Sequence, residues 1–255
     1  MTPARLVLHT FRYDQKVFWR NSASVFFTVM LPLIFLFIFA TIFGNDEIEE
    51  LGVNITTYYV PAIVALAVIS ATTVALAVNL TTDRERGQLK RVRGTPLPTP
   101  VFVSGRVGNS LVISLLMVVL IAVLGRLVYG VSLPDQTIPA LLVTLAVGAF
   151  TFSCLGFALT TIIPNEDAAP AVTNAIVLPL YFISGVFIPE SEIPEGALRV
   201  ADAFPVRPFF QAFFITWDPN TAGAGFEWGH LALVAAWGVA GLVIAMLAFR
   251  WEPRR

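Results

Sequence analysis

Charge is what this chain has least of. Asp, Glu, Lys and Arg make up 13% of its 255 residues against 56% hydrophobic ones, and the mean hydropathy of +0.78 lies well beyond what a water-soluble core of this size requires. Water is therefore excluded as the main solvent. With 16 basic and 17 acidic residues, there is no positive surplus to pair with nucleic-acid phosphates. Cysteine is nearly missing as well. Cys154 stands alone in an apolar stretch, which rules out an intramolecular disulfide or a thiolate metal cluster and leaves a small packing residue. His9 and His230 are far apart and near the edges of apolar runs, so they lack metal-ligand spacing and suit a membrane interface. No GxxxxGK[ST] phosphate cradle occurs anywhere in the chain.

What is present is a series of long uncharged apolar runs. They predict six spans near 23–43, 58–80, 107–128, 138–162, 168–188 and 229–249. Each is long enough to cross roughly 30 Å of hydrocarbon at about 1.5 Å per residue. Lipid offers no hydrogen bonds to an open backbone, so the spans are expected to be helices. Pro32, Pro170 and Pro179 predict kinks or breaks in them. The run from Ser22 to Phe43 follows a basic segment, as in a signal peptide, but it is too long for one and closes without a small-residue cleavage site. It is read as a retained first span.

The basic residues alternate along the chain. Arg5, Arg12, Lys16 and Arg20 precede the first span, Arg84, Arg86, Lys90, Arg91, Arg93 and Arg106 follow the second, and Arg250, Arg254 and Arg255 follow the sixth. The intervening loops hold Asp46, Glu47, Glu49, Glu50 and Asp135 instead. Positive residues collect on the cytoplasmic side, which predicts that both termini and the loop 81–106 lie there. Arg126, Arg199 and Arg207 are a minority against this pattern.

Three segments carry more structure than spanning needs. Residues 4–20 place Arg5, His9, Arg12, Lys16 and Arg20 on one helical face with Val7, Phe11 and Phe18 opposite, the spacing of a helix lying in the membrane interface. Asp14 falls on the apolar side and there requires a partner. Residues 81–106 are expected to hold a charged helix from Arg84 to Arg93, ended by Gly94 and a turn at Thr95 to Pro100, then a short helix into the third span. Such a loop is a docking surface or simply a basic loop on the positive side. Residues 189–228 are rich in proline and contain the run FPVRPFFQAFFITW, whose apolar part is too short to span. It suits a re-entrant element and an interfacial aromatic belt about equally.

The spans contain no Asp, Glu, Lys or Arg away from their ends, so an ion-coupled carrier would have no relay. Nor do they hold the Ser-His, paired-Asp or His-Glu set an intramembrane enzyme needs. Such an enzyme, and a passive channel, remain the alternatives to a transporter powered from outside.

The stretch DRERGQLKRVRGTPLPTP resembles the cytoplasmic segment of the ABC type-2 permeases, the membrane subunits of drug, lipid and polysaccharide exporters. The residues that carry this are Glu85, Gly87, Leu89, Thr95, Pro96 and Leu97. FRYDQKVFWRNSASVFFTVMLPLIF is similar to the family's interfacial helix and first span, at Arg20, Asn21 and Pro32. ISGVFIPESEIPEGALRVADAFPVRPFFQAFF is similar to the end of its fifth span and the external element, at Ser184, Gly185, Phe187, Pro189, Pro194, Pro205 and Pro208. Val206, Arg207 and Pro208 stand where an Asn-Pro pair is frequent. The daunorubicin-exporter-like members resemble the chain most in character.

The resemblance implies an all-α polytopic membrane protein: a single transmembrane domain over 1–255 with six transmembrane helices, an N-terminal amphipathic interfacial helix over 1–22, a cytoplasmic coupling helix and an external re-entrant element between the fifth and sixth spans. It implies a pair of such subunits, expected as a homodimer in the inner (plasma) membrane, above two separate ABC ATPase subunits that bind ATP and Mg. This chain would then bind no cofactor and catalyse no reaction. Asp83, Arg84, Glu85, Arg86, Gly87, Leu89, Thr95, Pro96 and Leu97 would form the ATPase-coupling segment, flanked by the interfacial helix with Arg12, Asp14, Phe18 and Arg20. Tyr58, Thr72, Thr73, Asn79, Asn174 and Ser184 are the polar groups of the second and fifth spans that a substrate path would use, with Phe182 beside them; helix packing is the other use for each. Phe- and Leu-rich spans favour a hydrophobic or amphiphilic drug or lipid over a long sugar chain.

Overall fold

The computed structural model describes residues 3–43, 47–48, 52–95 and 97–252. Side chains are described for these except at residues 3, 4, 23, 43, 47 and 48. The acidic residues Asp46, Glu49 and Glu50, the tail residues Arg254 and Arg255, and Pro96 of the coupling segment lie outside the described residues.

The chain is mostly helical. It begins with α1 (Pro3–Arg20), a one-residue break at Asn21, then α2 (Ser22–Val25), a π-helical turn at Phe26–Met30 and α3 (Leu31–Phe43). A short antiparallel ladder, β1 (Glu47–Ile48) with β2 (Val53–Asn54), departs from the all-α expectation and leads into α4 (Ile55–Ile69). A second π-helical turn, Ser70–Val74, joins α4 to α5 (Ala75–Glu85). There follow α6 (Gln88–Arg93), α7 (Thr99–Tyr129), α8 (Ile138–Leu159), α9 (Ala169–Ile183), α10 (Glu195–Asp202), α11 (Val206–Trp217) and α12 (Trp228–Ala248).

Among the described residues, four helices are long and apolar enough to cross a membrane: Ile55–Glu85, Thr99–Tyr129, Ile138–Leu159 and Trp228–Ala248. They coincide with the expected second, third, fourth and sixth spans. The segments at the first and fifth positions, Phe26–Ile42 and Ala169–Ile183, are apolar but shorter. The first is helical without interruption from Ser22 to Phe43, and α9 starts where expected but ends at Ile183, where Ser184 and Gly185, at φ +89°, turn the chain. Pro32 has no N–H for the carbonyl of Thr28, and the helix widens into a π-turn just before it. Pro170 sits in the first turn of α9, where a missing N–H costs nothing, so it starts the helix rather than kinking it, while Pro179 is accommodated inside.

The helix Ile55–Glu85 is the axis of the bundle. Its most apolar window is 72% buried, against 22% for Trp228–Ala248, so the first is enclosed by protein and the second shows most of its surface to the surroundings. Val60, Ile63, Val64, Ala67 and Val68 form its inner face, packed with Ile121 and Met117 of α7, Leu145 and Phe152 of α8, and Phe209, Phe210 and Phe213 of α11. Close approach is made possible at Gly156 of α8. A Cβ there would lie 2.9 Å from the Thr72 carbonyl oxygen, so only glycine allows α8 to lie against the π-turn. The apolar sides of α3, α7, α9 and α12 remain exposed, at Ile42, Val119, Leu178 and Leu247 among others, as lipid contact demands.

The aromatic run of residues 204–217 lies inside this bundle. Phe209, Phe210, Phe213 and Trp217 are all buried, with Phe209 stacked edge-on against Phe152 at 5.1 Å. A belt of residues at a lipid interface would face outward, so α11 is an internal element of the fold.

Candidate functional site

The loop expected to receive force is built differently from its sequence pattern. The charged helix expected over Arg84 to Arg93 is two pieces: α5 runs on to Glu85, Arg86 and Gly87 form a turn, and α6 restarts at Gln88. Gly87 takes φ +68°, the left-handed conformation that ends a helix cheaply only without a Cβ. The short helix expected before the third span is continuous with it, as the N-terminal turns of α7.

Within this segment the side chains divide into anchors and an outward face. Arg84 is 2% exposed. Its Nη1 donates to the Thr160 carbonyl at 2.9 Å and its Nη2 to those of Ile163 at 2.8 Å and Pro164 at 3.3 Å. A permanent cation thus caps the C-terminal end of α8, where carbonyls lack helical partners and the helix dipole is negative. Its Nε holds Glu85 at 3.1 Å. Leu89 is buried among Leu76, Leu80, Phe102 and Phe157, with Leu97 and Val92 packed at the edge. Thr95 is exposed and donates to the Val92 carbonyl at 2.6 Å, closing the end of α6. Outward point Arg86, Lys90, Arg91 and Arg93. Arg86 reaches Glu166 at 3.1 Å and Lys90 approaches Glu252 at 3.9 Å, both on exposed surface where such pairs contribute little.

A second anchor ties this segment to α1. Asp83 accepts a hydrogen bond from Arg106 Nη2 at 2.6 Å, and Arg106 Nε lies 3.5 Å from Asp14. Three helices, α1, α5 and α7, therefore meet at one guanidinium. Asp14 is buried, and that burial pushes its carboxyl up from 3.8 to about 6; Arg106 pulls it down and Asp83 pushes it further up. The partner that Asp14 requires is Arg106, a residue the sequence reading counted only as loop charge. Phe18 is also buried, against Trp19, while Arg12 and Arg20 are exposed on the outer face of α1.

The polar residues of the expected path separate in the same way. Tyr58, Thr72, Thr73 and Ser184 are buried and paired: Tyr58 to the Gly185 carbonyl at 2.6 Å, Thr72 to Val68 at 2.7 Å, Thr73 across to Phe152 of α8 at 2.9 Å, and Ser184 to Tyr181 at 3.2 Å. The bonds of Tyr58 and Thr73 join separate elements, whereas those of Thr72 and Ser184 stay within their own turn. Thr72 and Thr73 lie on the central π-turn, a local widening that recurs at functional positions. Asn79 is half-buried, and Asn174 and Phe182 are exposed on α9.

At the opposite end of the long helix, Tyr58 opens a cleft of about 340 Å³ shared with Pro189, Glu190, Phe210, Gln211, Phe214 and His230. Beneath it, Arg207 is bonded to Asp202 and, at 2.9 Å, to Glu190. A short 3-10 turn at Glu190–Glu192 and α10 bring these carboxylates over the start of α11.

The family model of the ABC-2 type transporters matches residues 5–217, and the chain belongs to that family. It is a membrane subunit of an ABC transporter, a transport permease rather than an enzyme. It is 20% identical over 242 residues to the putative transport permease YvfS of Bacillus subtilis, covering 95% of this chain and 94% of that one. To the daunorubicin resistance ABC transporter permease protein DrrB1 of Streptomyces coeruleorubidus it is 31% identical over 186 residues, 70% of this chain and 62% of that one. To the inner membrane transport permease YadH of Escherichia coli it is 23% identical, over 95% and 94% of the two chains.

Proposed function

We propose that this permease is half of an exporter that moves a hydrophobic or amphiphilic molecule, a drug or a lipid, outward, driven by a separate ABC ATPase that binds ATP and Mg. It crosses the inner membrane six times, with the continuous helical segment Ser22–Phe43 as the first span and Ala169–Ile183 as a short fifth span of about 22 Å that the bilayer meets by local thinning. Both termini and α6 face the cytoplasm, α1 lies in the interface, and α10 and α11 form the outer re-entrant element. Two copies assemble, their substrate path running beside Asn79, Asn174 and Phe182.

One observation supports this above the others. The segment carrying the outward basic face of Arg86, Lys90, Arg91 and Arg93 is locked to α8 by Arg84 and to α1 and α7 by Arg106. A push on that face moves the bundle as a unit, as a coupling element must. The test is co-purification with the product of the adjacent gene, followed by reconstitution. Retained ATPase and ATP-dependent export of a fluorescent lipid or drug are expected; a permease that moves substrate equally without ATP overturns the proposal.

A further inference from the structure

The cleft at the Tyr58 end of the bundle has a composition unlike the rest of the protein. Its wall is a cluster of three rings: Tyr58 lies edge-on to Phe210 at 5.5 Å and tilted against Phe214 at 5.4 Å, and Phe210 and Phe214 are 6.1 Å apart. Its polar side is anionic. Glu190 lines it and Asp202 lies behind, and both hold the guanidinium of Arg207, while Glu227 lies 3.6 Å from Nδ1 of the lining His230. Two carboxylates thus share one permanent cation, which leaves this group a net negative charge. Glu190 accepts from Arg207 and, at 3.2 Å, from Gln211, which leaves lone pairs unused on a carboxylate with room for about four hydrogen bonds. A further lining residue keeps a buried polar atom without a hydrogen-bond partner, Gln211 Oε1. Such atoms are costly to leave unmet and mark places where a ligand is better accommodated than a vacancy.

We infer that this cleft binds an amphiphilic organic cation, its ring system against Tyr58, Phe210 and Phe214 and its ammonium toward Glu190. Aromatic faces carry negative quadrupole density and attract ammonium groups, and an adjacent carboxylate supplies the counter-charge. An anion meets the carboxylates and is refused, whereas a neutral molecule of the same shape gains only the apolar contact. The volume of about 340 Å³ falls at the lower end of small-molecule sites, roughly 300–1,000 Å³, which suits a bicyclic body. The site lies within one subunit, about 40 Å along the long helix from Arg84, so its occupancy does not require a second copy. Only the sense of its occupant as cargo or modulator of export rests on the transport proposal.

The test is calorimetric titration of the whole chain in lipid nanodiscs, with empty nanodiscs as reference and no ATPase present. The probes are 1-naphthylmethylammonium and its neutral counterpart 1-naphthylmethanol. The cation is expected to bind about tenfold or more tightly than the alcohol. Ser191 is exposed on the rim, so Ser191→Lys leaves the packing alone; it should weaken the cation by about fivefold and leave the alcohol unchanged. Phe214→Ala should weaken both probes. Equal affinity of the two probes, no binding above empty nanodiscs, or a cation affinity indifferent to both substitutions overturns the site. Because no motor is present, that failure would leave the transport proposal standing.

Discussion

Arg106 Nη2 stands 2.6 Å from Asp83, and the same guanidinium is the charge partner of Asp14 on the N-terminal helix. The contact joins residues 23 positions apart at the base of the bundle and fixes α1 against the loop that the motor would touch. Removing one member of a buried pair leaves a desolvated charge, which costs about 3–5 kcal/mol. Arg106→Ala should therefore lower the melting temperature in detergent and release α1 to limited proteolysis. Adding Asp14→Asn to Arg106→Ala should recover part of that loss, because the orphaned carboxylate is then gone. An additive double variant contradicts the network.

The same carboxyl makes docking of α1 depend on pH. Its folded value of about 6 lies above the ordinary 3.8, so the folded protein holds a proton that the unfolded chain would release. The stabilisation is complete below about 3.8 and is lost as pH rises through about 6. The wild-type protein should gain stability relative to Asp14→Asn as pH falls from 8 to 5, by about 1.4 kcal/mol. Melting curves of the two proteins across that range give the answer, and a constant gap counts against it.

Arg84 and Leu89 make a different prediction from their exposed neighbours. Arg84→Met removes hydrogen bonds to three carbonyls at the end of α8, each a charged-group bond worth about 1.5–3 kcal/mol, and leaves those of Thr160 and Ile163 buried without this donor. It should destabilise the protein itself. Reversing Arg91 and Arg93 to Glu touches only solvent-facing side chains, so stability should hold within about 0.5 kcal/mol. Association with the ATPase should nevertheless weaken at least tenfold, measured by co-purification at low salt. If the reversed protein still captures the ATPase fully, the motor docks elsewhere.

How far these features could be read from the chain depends on their physical origin. The four long spans were legible because lipid solvation acts on every residue of a run, so composition alone reports it. The fifth segment fell short of its expected end because Ser184 and Gly185 turn the chain there, which the apolar count does not register. Asp14 announced its need for a partner by lying on an apolar face, but nothing in spacing named Arg106, since the two meet through tertiary packing. The coupling loop misled for a related reason. Arg84, Lys90, Arg91 and Arg93 look alike as members of a charged segment, yet Arg84 belongs to the buried end of α5, while after the turn at Gly87 the short α6 sets Leu89 inward and Lys90, Arg91 and Arg93 outward. The position of Arg84, following three polar residues at the end of an apolar run, is the one sequence cue that it belongs to the buried helix rather than the surface.

The central π-turn offers the most stringent test of how a push at one end reaches the other. Gly156 of α8 lies against the backbone of Thr72 and Thr73, and Thr73 donates across the same contact to the Phe152 carbonyl at 2.9 Å. A methyl group at 156 would come within 2.9 Å of the Thr72 oxygen and 3.3 Å of the Thr73 α-carbon, and a backbone neighbour cannot swing aside as a side chain does. Gly156→Ala should therefore displace α8 from the axis helix and cost about 1–3 kcal/mol. Thr73→Val tests the hydrogen bond alone, leaving the close approach intact at a cost of about 1 kcal/mol. If the two helices must move together during transport, Gly156→Ala should reduce export in proteoliposomes well beyond its effect on ATPase turnover, while Thr73→Val keeps the two in proportion. Equal loss of both activities in the alanine variant would mean that the contact serves folding only.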